Sequence, residues 1–347
     1  MEFLHYFGES AARLPELPFQ VLAIPYYRKK FARDLSEILK PETKLDQNTD
    51  SHFHRLWLRN YLINLNLFFK NPKSRVLTAK SLEIKSPIVF TGASPGLERD
   101  METLKNLRNS IFLLASDSSL GFLLKNNLPP DAILSLDPGR GTAFHFSDHI
   151  PETIPILTWA GGSRRIFELP NPKVLFFTSY PLDQWLSAQV MNSESYLENP
   201  GRNIASLAVS ISEFLGVSQL FFSGVSFLSE GGKTHCRGTG YESYFLPQTD
   251  RFHPLDSYVP VTYRGKLSSK NEIAKKAIQS SRYGWKTLDQ LEVRGEVEFR
   301  WNLESDNRGK ESLWTSTLIS GKWKQFLDSR MEQIFKNSED LFARLRF

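Results

Sequence analysis

The feature that most constrains this chain is a series of short, continuous apolar runs. They fall at Ile88–Phe90, Ile111–Ala115, Ala132–Leu136, Ile154–Trp159, Val174–Thr178 and Leu220–Gly224. Helix-like segments lie between several of them, at Leu97–Leu107, Ser118–Asn126, Leu182–Val190 and Ile204–Leu215. A strand that is apolar throughout, rather than on alternate residues, is buried on both faces. Alternation of such strands with helices predicts an α/β fold, with a mostly parallel sheet covered by helices on both sides.

In such sheets ligands sit beyond the carboxyl ends of the strands, so the polar residues after each run matter most. The first run ends in Gly92-Ala93-Ser94-Pro95-Gly96 and reopens at once as Leu97-Glu98-Arg99-Asp100. This is either a tight turn or a phosphate cradle of free backbone N–H groups at a helix start. It is not a dinucleotide fingerprint, because Ser94 stands at the third position. The second run ends in Ser116-Asp117-Ser118, where Ser118 could also cap the next helix. The third ends in Ser135-Leu136-Asp137-Pro138-Gly139-Arg140-Gly141. The last ends in Ser223-Gly224-Val225-Ser226 and leads to Gly231-Gly232-Lys233-Thr234-His235.

Asp117 and Asp137 suit a ribose hydroxyl, a base, or a divalent cation shared with phosphates; equally, they suit turns. His235, on a polar loop, reads either as a surface histidine or as a base for an acceptor hydroxyl. Gly232-Lys233-Thr234 resembles the tail of a Walker loop, but Phe227 stands where its first glycine belongs. His145 and His149 lie four apart on one expected helix face and lack a third ligand, so no metal site is expected there. Cys236 adjoins His235, but sequence neighbours rarely face one another.

Composition narrows the rest. With 347 residues, 40% hydrophobic, and 26 Phe, the chain can bury a substantial core. Its single cysteine excludes an internal disulfide and a Cys-based zinc site. A formal net charge of +5 favours anionic partners, but the densest basic run, Arg28-Lys29-Lys30-Phe31-Ala32-Arg33, reads as a solvated helix face. No nucleic-acid partner is expected. No run approaches the roughly 18 apolar residues that span a bilayer, and no secretory signal is seen, so a cytoplasmic chain without membrane association is expected. Three regions are expected: a helical N-terminal extension at 1–80, a nucleotide-binding core at 81–245, and a C-terminal extension at 246–347. The first includes the helical periodicity from Phe53 to Phe68. The last ends in an amphipathic helix, Trp323–Phe347, that packs on the core or on a second copy.

The run ASDSSLGFLLKNNLPPDAILSLDP, residues 115–138, resembles the central domain of the motility-associated factor family, which is linked to flagellin glycosylation. The same domain group includes the MptE-like 6-hydroxymethylpterin diphosphokinases. Asp117, Pro130-Asp131 and Ser135-Leu136-Asp137-Pro138 fit its pattern, as do residues 201–227 and the Gly232-Lys233-Thr234-His235 loop. The resemblance covers roughly residues 55–245. That domain is similar in turn to bacterial sialyltransferases, which use CMP-activated nonulosonic acids on a Rossmann-like sheet and need no metal.

The resemblance therefore implies a Rossmann-like three-layer sandwich and a set of site residues. Gly92, Ser94 and Gly96 would meet the nucleotide phosphate, and Asn203 and Ser206 would line the same cleft at a helix start. His235 would be the general base, with Tyr241 and Tyr244 hydrogen-bonding the departing phosphate. Two departures stand out. Ser94 and Gly96 replace the second glycine and final serine of the family's turn, and Ser226 replaces a carboxylate. The expected activity is transfer of a sugar from a CMP-type donor to a protein or glycan hydroxyl, flagellin being one candidate acceptor, with no cofactor required. The alternatives are Mg²⁺-dependent pyrophosphoryl transfer to a pterin, and a nucleotide-binding module without turnover.

Overall fold

A computed structural model describes residues 44–139, 141–180, 183–184, 187, 196–199, 203–227, 233–255, 269–293 and 295–302. The basic run at 28–33, most of Leu182–Val190 and the helix expected at Trp323–Phe347 lie outside the described residues. The chain divides into two compact units. One comprises Met1–Arg59, Ser179–Glu194 and Arg308–Phe347; the other comprises Asn60–Thr178 and Ser195–Asn307. Within the first, the Trp57 and Tyr180 rings meet edge-on at 5.8 Å. The second contains the sheet.

Helix α1 runs Lys44–Lys70. Tyr61, Leu65 and Phe68 are buried along it at the i, i+4, i+7 spacing of one helix face. There follow β1 (Arg75–Val76), β2 (Leu82–Ile84), β3 (Ile88–Thr91), α2 (Gly96–Leu107), β4 (Phe112–Ser116), α3 (Asp117–Lys125), β5 (Ala132–Leu134), α4 (Thr142–His145) and β6 (Ile156–Thr158). The chain continues through α5 (Arg164–Glu168), β7 (Lys173–Leu175), α6 (Ile204–Phe214), β8 (Leu220–Ser223), α7 (Gly240–Phe245), α8 (Ser269–Ser280) and β9 (Phe299–Trp301).

All six apolar runs are strands, and every residue of β3 to β8 is buried. With β1 they form a seven-stranded sheet in the order β1-β7-β6-β5-β4-β3-β8, parallel at every pairing. The fold is thus the α/β, Rossmann-like sandwich expected. The periodicity did not reveal β1, which is only two residues long, nor the antiparallel pairing of β2 with β9.

From β3 to β7 the sheet grows in one direction, then the chain returns through α6 to lay β8 against the other side of β3. Right-handed crossovers put the helices of the outward run on one face and the helix of the return on the other. On the first face, Leu97, Met101 and Leu104 of α2 pack on Val89, Leu113, Ala115 and Phe221. On the other, α6 is buried almost all round and α8 packs against it. The outer edge of β8 is covered by the chain after α8, where Lys286 accepts from the Phe222 amide at 2.8 Å. The reversal at β3 is the kind of switch point beside which α/β sheets open a crevice.

Candidate functional site

The turn after β3 and the turn after β8 are stitched together. The amides of Gly92 and Ser94 donate to the carbonyls of Ser223 and Gly224 at 2.9 and 2.8 Å, and Ser226 N donates to Ser94 Oγ at 3.0 Å. This corrects the expectation of a cradle of free amides, because two of them bind the sheet to itself. Gly92 is required by this close approach, since a Cβ there would lie 2.5 Å from the Gly224 carbonyl oxygen. Gly96 then opens α2. The first-turn carboxylate of Glu98 accepts from Arg237 N at 2.8 Å and from Lys233 Nζ at 3.3 Å. Lys233 is therefore tied to a carboxylate, unlike a Walker lysine. The Cys236 amide donates to Ala93 O at 2.8 Å, so the His235 loop lies against the Gly92–Gly96 turn.

One strand over, Ser116 rather than Ser118 caps α3, its Oγ accepting from Ser119 N at 3.2 Å. Asp117 thus becomes the first residue of the helix. It is buried, and its two carboxylate oxygens accept from Ser118 N at 2.7 Å and Ser135 Oγ at 2.5 Å. Asp137 follows β5 on a loop held from behind by α1. Asn60 Nδ2 donates to Pro138 O at 3.1 Å and Gly162 O at 3.0 Å. Asn64, one turn on, donates to Ala160 O at 2.9 Å and Gly162 O at 2.8 Å.

Helix α4 ends on His145, a buried residue whose Nδ1 has no hydrogen-bond partner among the described residues. Gly240 packs so tightly on it that a Cβ there would lie 2.4 Å from that nitrogen. Tyr241, at the start of α7, lies between two imidazoles. Its ring is 4.8 Å from His145 at 66° and 3.9 Å from His235 at 30°. Thr234 Oγ1 lies 2.8 Å from His235 Nδ1, holding the ring at its edge. The rim thus carries two carboxyls, two imidazoles and a phenol in close company.

Burial governs their protonation. It raises the Asp117 carboxyl to about 6, against the hydrogen bonds from Ser135 and Ser118. Asp137, which reaches the surface, is shifted upward too by its partial desolvation, with help from the Asp117 charge and opposition from His145. Burial lowers His145 to about 4, with Asp137 opposing, and His235 to about 4, with His145 adding to the effect. Near neutral pH both imidazoles are therefore neutral and able to accept a proton, while the buried Asp117 carboxyl sits close to its own titration.

The other expected residues divide. Asn203 caps α6, accepting from Ser206 N at 2.8 Å, while Ser206 Oγ donates back to Asn203 O at 3.1 Å. These bonds hold the start of the helix on the opposite face of the sheet. Tyr244 lies on the outer flank, edge-on to Phe144 at 5.1 Å and 42% exposed. The helix expected to carry both His145 and His149 stops at His145, and His149 is exposed. Cys236 is buried in the core, its thiol raised to about 12 by burial and by Glu98, so it does not pair with His235. Ser135, which ends the third apolar run, hydrogen-bonds Asp117, whereas His145, 11 positions beyond the end of β5, is a member of the cluster that the sequence set only beside His149.

A divalent cation would be held here by Asp117 and Asp137, whose like charges it would relieve, with substrate phosphates completing its oxygen shell. Among the described residues no group of three or more His, Cys, Asp or Glu is placed to hold a metal, and none of their helices is long and apolar enough to cross a membrane.

Residues 59–230 match the family model of the 6-hydroxymethylpterin diphosphokinase MptE-like domain. An uncharacterized protein of Treponema pallidum (strain Nichols) is 26% identical over 209 residues, which cover 59% of this chain and 36% of that relative. A second from the same organism is 28% identical over 116 residues, covering 33% of this chain and 52% of that relative. The chain thus spans between about a third and a half of the length of these relatives. A solved structure, the MAf glycosyltransferase from Magnetospirillum magneticum AMB-1, is similar at 13% identity and a TM-score of 0.49, over 82% of this chain and 50% of that one. The sheet and the rim described above fall within the matched segment up to β8, so it is residues 59–230 that resemble the MptE-like family.

Proposed function

We propose that the rim transfers a glycosyl group, of the nonulosonic acid type, from a CMP-linked donor to a hydroxyl of a protein or glycan. What supports this reading is His235, a neutral imidazole stacked on Tyr241 and bonded to Thr234, on a loop that the Cys236–Ala93 bond ties to the Gly92–Gly96 turn. In the reaction the acceptor oxygen bonds to the anomeric carbon as the bond from that carbon to the donor phosphate breaks. The electron pair leaves with CMP, and the acceptor proton passes to His235. A pKa of about 4 makes the unliganded imidazole a weak base. An anionic donor bound beside it raises that value toward working pH. Ser135, Asp117 and Asp137 are placed to read donor hydroxyls or the base, and no metal is needed. Flagellin is one acceptor consistent with the family resemblance.

A second reading follows the activity in the family's name. There Asp117 and Asp137 would hold Mg²⁺ while pyrophosphate passes from ATP to a pterin alcohol, releasing AMP. What favours it is that two carboxylates, Asp117 and Asp137, follow the adjacent parallel strands β4 and β5. Incubation with a CMP-nonulosonic acid, and separately with ATP and 6-hydroxymethylpterin, with and without chelator, separates the two. Release of CMP in the presence of chelator supports the first. AMP formed only with Mg²⁺ supports the second. Tight nucleotide binding with neither product indicates a binding module.

A further inference from the structure

A cavity of about 700 Å³ opens at the β8 edge of the sheet, away from the carboxyl and imidazole cluster. Its walls come from two sources. Arg99 and Asp100 of α2 and the turn after β8 belong to the family-matched segment, whereas Lys275 and Gln279 of α8, Trp285 and Asp289 lie beyond it. The indole of Trp285 is fixed, stacked on Phe222 at 5.8 Å and 28° and met edge-on by Phe227 at 5.7 Å. Lys275 and Gln279 stand one turn apart on α8, both exposed. Asp100 accepts from Ser223 Oγ at 2.6 Å, and Asp289 accepts from the Thr287 hydroxyl.

The chemistry of these walls selects a ligand class. A phosphate site concentrates donors and excludes carboxylates, and an apolar ligand wants few charges of either sign. Here two cations, two carboxylates and an amide surround one immobile aromatic plate. That combination suits a polyhydroxylated ring, whose C–H face lies on the indole while its hydroxyls meet donors and acceptors around the edge. A volume of about 700 Å³ is within the range of small-ligand clefts.

We propose that this cavity is a binding subsite for a short glycan. It shares a wall with the rim at Gly96, Gly224 and Ser226, the last of which donates to Ser94. A glycan seated there would offer a hydroxyl toward the rim, so the subsite would serve the acceptor. That assignment rests on the transfer reading, while glycan binding itself does not.

The test uses the full chain titrated with N,N′-diacetylchitobiose and with digalacturonic acid, followed by ligand-observed NMR. Saturable binding of either is expected, weakened at least tenfold in Trp285→Ala, with CMP affinity unchanged. Because Trp285 also packs on Phe222 and Phe227, the exposed Lys275→Ala is the control for fold. It should weaken digalacturonate binding more than chitobiose binding. No saturable binding of either probe overturns the proposal, as does binding that both variants leave intact or that CMP displaces competitively. Glycan binding as expected, in a protein that releases no CMP from a sugar donor, would remove the transfer reading and leave the subsite standing.

Discussion

The amide of Cys236 donates to the carbonyl of Ala93 at 2.8 Å, and this bond sets the His235 loop on the turn that follows β3. Beside it, Tyr241 fills the space between the His235 and His145 rings. The position of the proposed base is therefore set by packing as well as by backbone.

His235→Ala should lower transfer about 10²–10⁴-fold with donor affinity nearly unchanged, the usual cost of losing a general base. Tyr241→Phe keeps the stacked ring and should stay within a few-fold of the parent. Tyr241→Ala should fall toward the His235 variant. Single-turnover rates at saturating donor check all three, and a Tyr241→Ala protein as active as Tyr241→Phe would contradict the positioning role.

Gly92→Ala and Gly224→Ala should each destabilise the protein, for related reasons. The added methyl lies 2.5 Å from a backbone carbonyl oxygen in both cases, and Gly224 also has φ +61°. A forced contact of this kind costs about 1–3 kcal/mol, readable as a lowered urea midpoint at constant slope.

Asn64→Ala removes the donor to the Ala160 carbonyl and one of two side-chain donors to the Gly162 carbonyl, at a fully buried position. The expected loss is about 1–3 kcal/mol. Amide exchange should speed up in the Asp137–Ser163 region, because Ser163 N bonds Asp137 O and Asn60 holds the neighbouring Pro138 carbonyl. Asn64→Asp, which keeps the shape and changes the donor, should be nearly as damaging.

The rim should also leave a mark on stability against pH. Asp117, raised from 3.8 to about 6, contributes stability that is fully present below pH 3.8 and lost as pH rises through 6. His235 and His145, lowered from 6.5 to about 4, act in the opposite sense, so their contribution is present above pH 6.5 and lost as pH falls through 4. The two trends oppose each other across the same window. Asp117→Asn removes the larger, buried share of the carboxyl trend, so its stability should rise between pH 4 and 6 more steeply than the parent's, by about 1 kcal/mol per pH unit. Urea unfolding at half-unit pH steps measures this, and parallel curves would refute the burial of Asp117.

Much of this architecture was legible because burial on both faces writes itself as unbroken Ile, Val, Leu and Phe, as in β3 and β4. The rim was legible for a related reason, in that a strand's polar successor must lie at its carboxyl end, as Asp117 and His235 do. What escaped was carried by longer-range geometry. Arg75–Val76 is too short to show a period and is a strand only because β7 lies beside it. His145 joins the cluster only through Gly240, 95 positions on, whose lack of a side chain admits the ring. The amides of Gly92 and Ser94 looked available in sequence because their acceptors belong to a strand more than a hundred residues away. Beyond β8 no further strand–helix alternation shows in the sequence, yet Trp285 and α8 close the β8 edge by packing against elements already in place.

The return of β8 to the flank of β3 has a consequence for how the molecule is born. Ser94 and its partner Ser226 are separated by 132 positions, so a ribosome adding about 5–20 residues per second delivers the second half of the turn many seconds after the first. Throughout that interval one side of Ile88–Thr91 has no neighbour to complete its ladder, and no nascent fragment ending before Ser223 can own a working pocket. Synthesis, by its order, leaves that edge open until the residues of β8 have emerged.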